Sequence, residues 1–338
     1  AVSLGWRPHS HPVYRNVTDG LLPRALALLL LGVDLPSVAR AGSRALAAAL
    51  VGAFGIAVAS AGWVWLLRAQ LPAEAWKGAG ALAGTWTGGS ANLLALRTLL
   101  DIPETIFAPL IVVDAMVAYS WMALLVAASG CQERIDRWLQ ARPLQALARP
   151  ETANRIHPIT PARDQAVALV IALTLVGAAR GIAGFAPIGP MVSAPHGWTI
   201  LLVTTAALGL SLSPSVRRLS ASGEAVGYGC LYVVLAAIGA QGRLEALRSA
   251  PVWALIGFGI VLTHGVILLA AARLLRLPLS LVATASQANI GGVVSAPLVG
   301  AVYHHSLAPV GLLLAMAGNA VGTYVGWGVA VVCRWVVN

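Results

Sequence analysis

Long apolar stretches separated by short polar ones run along most of the chain. A stretch near 20 residues is long enough to cross a hydrocarbon core of about 30 Å as a helix. The strict alternation of a membrane β-barrel is absent. The pattern therefore predicts an all-α polytopic membrane protein with about ten transmembrane helices. The predicted segments are approximately 17–33, 44–67, 76–100, 105–130, 163–183, 197–213, 224–240, 251–275, 280–303 and 307–334.

Composition supports a membrane protein. Hydrophobic residues make up 58% of the chain and charged residues 10%, whereas soluble domains carry about 25% charged residues. The net charge of +10 comes from cations placed between apolar segments, where they act as topology signals, so a nucleic-acid partner is not expected. The arginine-rich stretch 131–163 is predicted to be cytoplasmic by the same rule. The cysteines Cys131, Cys230 and Cys333 match no metal spacing, and no cofactor is expected.

Two clusters of paired glycines and uncharged polar residues interrupt apolar segments, at 84–92 and at 286–292. Glycine costs about 1 kcal/mol relative to alanine inside a helix. Unwound backbone at membrane depth is tolerated only where protein or a water-filled cavity supplies partners. The clusters therefore predict a substrate site, with the alternative that the glycines only allow close helix crossing. The candidate substrate-binding residues are Thr87, Gly88, Gly89, Ser90, Asn92, Ser286, Asn289, Gly291 and Gly292.

The two halves of the chain carry similar features in the same order. Each half has a glycine break followed by an Ala-Pro pair, and the offset between matching features stays between 200 and 207 residues. We therefore predict a first repeat at 1–130, a cytoplasmic linker at 131–163 and a second repeat at 164–338. The segment with the second break comes six segments after the segment with the first, and this even step leaves both copies pointing the same way. An inverted repeat requires one segment that lies flat, re-enters or is miscounted, and hydropathy leaves that choice open.

One carboxyl group is predicted near the bilayer midplane. Asp114 lies ten residues after Glu104, about 15 Å along a helix. Burying an ionised carboxylate there costs several kcal/mol, so such groups usually bind a cation or carry a proton. Asp114 is therefore a candidate ion-coupling residue, and a structural aspartate is the alternative. Asn319 is the second ion-coupling candidate, although its position on one face with Thr323 equally suits a bond to another helix.

His264 lies alone in an apolar segment, where it either relays protons or forms a structural hydrogen bond. No residue set has the spacing of a nucleophile with its base, and we do not expect an enzyme.

The chain resembles the membrane family called domain of unknown function 819, the YjcL-like proteins. The resemblance covers nearly the whole chain and rests on a Pro-Val-Tyr segment between His11 and Asp34, on Gly-Gly-Ser-x-Asn at 88–92, and on Ala-Ser-x-Ala-Asn-Ile-Gly-Gly at 285–292. Members usually have extra apolar sequence before the Pro-Val-Tyr, so we expect the first repeat to be N-terminally incomplete. They tend to show Ala-Asp-Asn where this chain has Val113-Asp114-Ala115. The layout is distantly similar to cation/proton antiporters, bile-acid symporters and glutamate:sodium symporters, which implies an inverted repeat with discontinuous helices.

These observations favour a secondary active transporter in a bacterial-type inner membrane. It would move a small anionic organic solute, coupled to Na⁺ or H⁺, by alternating access. The expected partners are the solute and membrane lipid, Na⁺ is one candidate coupling ion, and a homodimer is left open. The alternatives are an intramembrane enzyme or lipid-handling protein, and a non-transporting membrane scaffold.

Overall fold

The computed structural model describes residues 12–142, 162–189, 191–192, 194–241 and 250–337, and the regular elements in these ranges are helical. The helices of the first half are α1 (Pro12–Leu31), α2 (Leu35–Val38), α3 (Ser43–Leu66), α4 (Ala75–Gly88), α5 (Ser90–Leu100), α6 (Glu104–Ala128) and α7 (Gln132–Leu139). Those of the second half are α8 (Ala162–Ala183), α9 (Pro195–Ser211), α10 (Pro214–Ser220), α11 (Glu224–Gln241), α12 (Ala250–Leu275), α13 (Leu279–Ile290), α14 (Gly292–Tyr303) and α15 (Leu307–Val337).

Within the described residues, five helical stretches are long and apolar enough to cross a membrane, and the prediction of an all-α polytopic membrane protein is confirmed. Two shorter apolar helices, at Glu224–Ile238 and Gly292–Tyr303, accompany them. The long stretches are Ser43–Leu66, Glu104–Leu139, Ala162–Ala183, Ala250–Leu275 and Leu307–Val336.

The chain forms two compact units that do not follow the two sequence halves. The first unit comprises Ala1–Asp34, Leu94–Pro109 and His157–Ala250, and the second comprises Leu35–Leu93, Leu110–Ile156 and Pro251–Asn338. Each unit takes residues from both predicted repeats. The repeat boundaries therefore stay a prediction about the sequence and do not describe packing.

In the first unit, α1 packs against α8, α9 and α11. Two ion pairs reinforce this unit. Asp34, just after α1, lies 3.4 Å from Arg217. Arg97 lies 2.7 Å from Glu104 across the turn between α5 and α6, and its guanidinium group stacks over Phe107.

In the second unit, α4 and α15 make the most extensive helix contact, through small residues spaced four apart. A Cβ atom added to Gly80 would lie 2.6 Å from both the Ala330 Cβ and the Gly326 carbonyl oxygen. Gly322 contacts the Gly84 carbonyl, and Gly88 contacts the Gly318 carbonyl. Rising numbers on α4 meet falling numbers on α15, so the two helices are antiparallel and their backbones touch.

The segment predicted at 280–303 turns back on itself. Leu279, the first residue of α13, and Leu307, the first residue of α15, belong to one buried cluster. Ala283 of α13 and Val299 of α14 also pack together against Leu125, although a continuous helix would separate them by about 24 Å. Helices α13 and α14 therefore form a re-entrant hairpin, here named hairpin 2.

The segment predicted at 76–100 also turns back. Gly322 of α15 lies close to both Gly84 of α4 and the side-chain amide of Asn92 of α5, and Thr323 donates a hydrogen bond to Asn92. If α5 continued the direction of α4, Asn92 would face an earlier turn of α15. The start of α5, at residues 90–93 of the second unit, therefore turns back beside the end of α4, and this turn with its flanking helices is here named hairpin 1.

The two hairpins enter from opposite sides. Helix α4 is antiparallel to α15, and α15 is antiparallel to α14, since Gly311 contacts Ala296 and Gly300 contacts Leu307. Helix α14 in turn reverses the direction of α13. The helices that lead into the two tips, α4 and α13, therefore run in opposite directions. This is the relation of an inverted repeat, and the re-entering segments explain why a count of spanning segments left the orientation open.

The α4–α15 contact makes a testable prediction. Gly80→Ala would place its methyl group against the backbone of α15, and we expect a net destabilisation of about 1–3 kcal/mol despite alanine's better helix propensity. The apparent melting temperature of the purified protein in detergent should fall. Gly62→Ala on α3 is the matched control, because a Cβ atom there meets nothing within 4 Å. Equal effects of the two substitutions would contradict the close backbone contact.

Candidate functional site

The tips of the two hairpins meet inside the second unit. Gly89, between α4 and α5, has φ 86°, and Gly292, the first residue of α14, has φ 69°, a region that favours glycine. A Cβ atom added to Gly292 would lie 3.7 Å from the Gly89 Cα. The glycine doublets 88–89 and 291–292, predicted as parts of one site, therefore lie side by side.

Each tip combines the end of one helix with the start of another. Helices α4 and α13 end there with carbonyl groups that lack intrahelical partners, and α5 and α14 begin there with free N–H groups. The helix starts carry partial positive charge and the helix ends carry partial negative charge. The tips thus offer backbone groups for both an anion and a cation.

Asp114 lies beside the tip of hairpin 1. Its Oδ1 accepts a hydrogen bond of 3.0 Å from the Trp86 indole and one of 3.4 Å from the Thr85 hydroxyl. Ser90, the first residue of α5, also interacts with this carboxyl group. The side chain of Asp114 is half-buried. The predicted ion-coupling carboxyl is therefore joined to the last turn of α4 and the first turn of α5.

Asn319 and Ser90 are the more open polar residues at this tip. Asn319 is half-buried, and its Oδ1 lies 3.3 Å from the position of a Cβ atom on Gly89. Ser90 is exposed. Both side chains can reach a ligand at the tip.

Asn92 and Thr87 serve packing in this structure. The Asn92 amide donates to the Gly88 carbonyl at 2.9 Å and to the Asn319 carbonyl at 3.5 Å, and its oxygen accepts from Thr323 at 2.6 Å. The Thr87 hydroxyl donates to the Ala83 carbonyl within its own helix. Both side chains are fully engaged. Their role as substrate ligands stays a prediction. The Asn92 bonds fasten hairpin 1 to α15, whereas the Thr87 bond stays within α4.

Ser286 joins hairpin 2 to three other helices. The Trp121 indole donates to the Ser286 hydroxyl at 2.9 Å, and the hydroxyl lies 2.9 Å from His264 Nε2. His264 Nδ1 lies 2.9 Å from the Gly52 carbonyl, which can only accept. Nδ1 therefore carries the proton, and Nε2 accepts from Ser286. Both ring nitrogens of the fully buried His264 form hydrogen bonds, which agrees with a structural role for this residue.

Asn289 ties hairpin 2 to α3. Its side-chain amide donates to the Ala49 carbonyl at 3.0 Å, and a Cβ atom on Gly52 would collide with it. Asn289 and Ser286 therefore both hold α13 in place. Whether either also binds a ligand stays a prediction.

Two tryptophans at the site were not predicted from the sequence. Trp86 lies inside the first glycine cluster, and Trp121 lies two helical turns after Asp114 on α6. Their indole N–H groups bind Asp114 and Ser286, respectively. Spacing alone could have placed Trp121 on the same face as Asp114, but nothing in the pattern links it to Ser286.

Among the described residues, no group of three or more His, Cys, Asp or Glu side chains could hold a metal ion. The donors at the two tips are the Asp114 carboxyl, amide and hydroxyl oxygens, and backbone groups. Oxygen donors of this kind suit hard cations such as Na⁺ and polar organic groups.

The fold defines a class of polytopic membrane protein built around two opposed re-entrant hairpins with a carboxyl group beside their tips. The chain belongs to the family described as protein of unknown function (DUF819), whose model matches residues 3–336. It is also similar to the uncharacterized membrane protein YjcL of Bacillus subtilis (strain 168). The two are 24% identical over 345 residues, which cover 96% of this chain and 85% of the relative. The family resemblance drawn from the motifs is confirmed.

The Ser286 network makes a prediction about stability. Ser286→Ala would leave the Trp121 indole and His264 Nε2 without their partner, and we expect a cost of about 1–3 kcal/mol. Thr284→Val is the matched control two residues earlier, because that buried hydroxyl donates to the Ser280 carbonyl of its own helix and such bonds contribute little to stability. The readout is the apparent melting temperature in detergent. If the network does not contribute to stability, the apparent melting temperature should shift equally in both variants.

Proposed function

We propose that this protein is a secondary active transporter of the bacterial inner membrane that moves a small anionic organic solute coupled to Na⁺ or H⁺. The observation that carries the proposal is the meeting of two inverted hairpin tips at Gly89 and Gly292, beside Asp114. Unwound backbone at that depth requires protein or water partners. Paired broken helices at a repeat interface are how many secondary transporters build their sites.

The proposed roles follow the charges at the tips. The N-termini of α5 and α14 carry partial positive charge and bind the anionic group of the solute. Ser90 and Asn319 add hydrogen bonds, since both have open polar side chains at this place. Asp114 binds the coupling cation or proton, because its carboxyl lies at the same tip. Solute and coupling ion then occupy one site and depend on each other.

Alternating access follows from the opposed directions of the hairpins. Movement of the hairpin 1 tip would open the site toward the side on which α4 begins, and movement of the hairpin 2 tip would open it toward the other side. Arg44 and Arg142 cluster at the Arg276 carbonyl, close to the start of α13. By the positive-inside rule, this is the cytoplasmic side. Hairpin 2 then controls access from the cytoplasm and hairpin 1 access from outside.

The intramembrane-enzyme alternative draws no support from His264. Its ring is fully buried, and both nitrogens are bonded to Gly52 and Ser286. A general base needs a ring nitrogen that can reach its substrate.

Transport can be measured with purified protein in liposomes. The probes are radiolabelled mono-, di- and tricarboxylates, each offered under an inward Na⁺ gradient, an inward proton gradient or no gradient. We expect gradient-driven uptake of at least one of them. Folded wild-type protein that drives uptake of none of these acids under either gradient would contradict the proposed solute class and coupling.

Asp114→Asn tests the coupling role. The substitution keeps an oxygen for the Trp86 indole but removes the charge, so we expect gradient-driven uptake to fall at least about tenfold while the protein stays folded. Asp101→Asn is the matched control, since it makes the same charge change at an exposed turn whose φ of 49° suits asparagine. Unchanged, gradient-dependent uptake in Asp114→Asn would remove this carboxyl from the mechanism.

A further inference from the structure

The tip of hairpin 2 contains a buried polar atom without a partner. Gln287 is 1% exposed. Its Nε2 donates to the Ser295 hydroxyl at 2.8 Å, whereas its Oε1 is buried and accepts no hydrogen bond from the described residues. A buried acceptor left unpaired costs about the desolvation penalty of the group, so its persistence calls for a ligand.

The Gln287 amide lies across the break itself. A Cβ atom on Gly291 would collide with both Gln287 Nε2 and the Ser295 hydroxyl, so the amide rests on the backbone between the end of α13 and the start of α14. Ser295 holds Nε2 from the α14 side and thereby fixes the orientation of Oε1. Only glycine at position 291 leaves room for this arrangement.

Further oxygens lie at the same end of α13. The last carbonyls of α13 lack intrahelical partners because the helix ends at Ile290. The Gln287 carbonyl accepts a hydrogen bond of 2.8 Å from the Gly291 N–H. The backbone carbonyls of the three following residues have no such partner within the helix. They form the negative end of the helix dipole. Gln287 thus belongs to a helix end whose neutral oxygens favour positive charge.

The chemistry of these donors selects the ligand. Amide and carbonyl oxygens do not take up protons at physiological pH, so this is not a proton site. Divalent cations in proteins usually take carboxylate ligands, and the donors named here are uncharged. A hard monovalent cation fits best, and unwound carbonyls in membrane transporters suit Na⁺.

We propose that Gln287 Oε1 and the C-terminal carbonyls of α13 bind Na⁺ at the tip of hairpin 2. The site is distinct from the Asp114 carboxyl, which is bonded to hairpin 1. The inference deepens the proposed function by adding a Na⁺ site to the cation or proton site at Asp114, and it rests on that function only for the ion's role in transport. Na⁺ binding itself is measurable without any solute.

The test measures Na⁺-dependent stability of the purified full chain in detergent. Thermal unfolding is followed by tryptophan fluorescence in NaCl, KCl or choline chloride at constant ionic strength. A ligand that binds only the folded state raises its melting temperature. We expect saturable stabilisation by NaCl over both other salts, and at least about tenfold weaker Na⁺ affinity in Gln287→Leu.

Two variants serve as controls. Thr284→Val removes a buried hydroxyl one turn earlier on α13 that bonds only to its own helix, and it should keep the wild-type Na⁺ affinity. Asp114→Asn should keep a Na⁺ response, because its carboxyl belongs to the other hairpin. Loss of the Na⁺ response in Asp114→Asn with an unchanged response in Gln287→Leu would move the site to hairpin 1 and overturn the proposal.

A second measurement covers the case in which Gln287→Leu does not fold. Gln287→Glu keeps the length of the side chain and supplies an anionic oxygen, so it should bind radioactive ²²Na⁺ at least as tightly as the wild type. Weaker binding in Gln287→Glu, or no Na⁺-specific binding in the wild type, would overturn the proposal and leave a water molecule as the partner of Oε1. Gln287-dependent Na⁺ binding without any solute uptake would instead refute the proposed transport and leave the ion site standing.

Discussion

The structure of the second unit depends on two helix breaks that meet where lipid offers no hydrogen bonds. Backbone groups freed at a break must find partners within the protein or in enclosed water, since each unpaired group costs free energy. The chain meets this requirement by placing both tips side by side, with Gly89 and Gly292 in conformations that favour glycine. Side chains of the hairpins then bind the surrounding helices: Asn92 binds α15, Asn289 binds α3, and Ser286 binds α6 and α12.

The two hairpins are held by different means. Hairpin 1 lies on α15 through glycines spaced four apart, which bring backbones into direct contact. Hairpin 2 is fixed by a chain of hydrogen bonds from Trp121 through Ser286 to His264. A carboxyl group stands beside the first tip, and an unpaired amide oxygen stands at the second. The inverted arrangement therefore carries two chemically different ends.

Much of this was predictable because the decisive residues are rare in apolar sequence. Paired glycines beside asparagine marked both breaks, and a lone carboxyl marked Asp114. The return of the second segment was not predictable, because a reversal leaves hydropathy unchanged. The hairpin is revealed by packing, since Leu279 and Leu307 share one cluster, and Ala283 and Val299 share another. The sequence also did not show which polar side chains at the tips are used in packing and which are accessible to a ligand. Both Asn92 and Asn319 are asparagines, yet the Asn92 side chain makes three hydrogen bonds, whereas the Asn319 side chain is half-buried beside Gly89.

The central claim is that the second broken segment returns to the side from which it came, and that α4 enters from the opposite side. Single cysteines at Arg276, His305 and Glu74, all exposed positions, test it directly when Cys131, Cys230 and Cys333 are replaced by serine. A membrane-impermeant maleimide is applied to intact cells and to inverted membrane vesicles. The account predicts that positions 276 and 305 react from one side and position 74 from the other. Reaction of positions 276 and 305 from opposite sides would show that α13 and α14 together cross the membrane. This result would contradict the re-entrant hairpin.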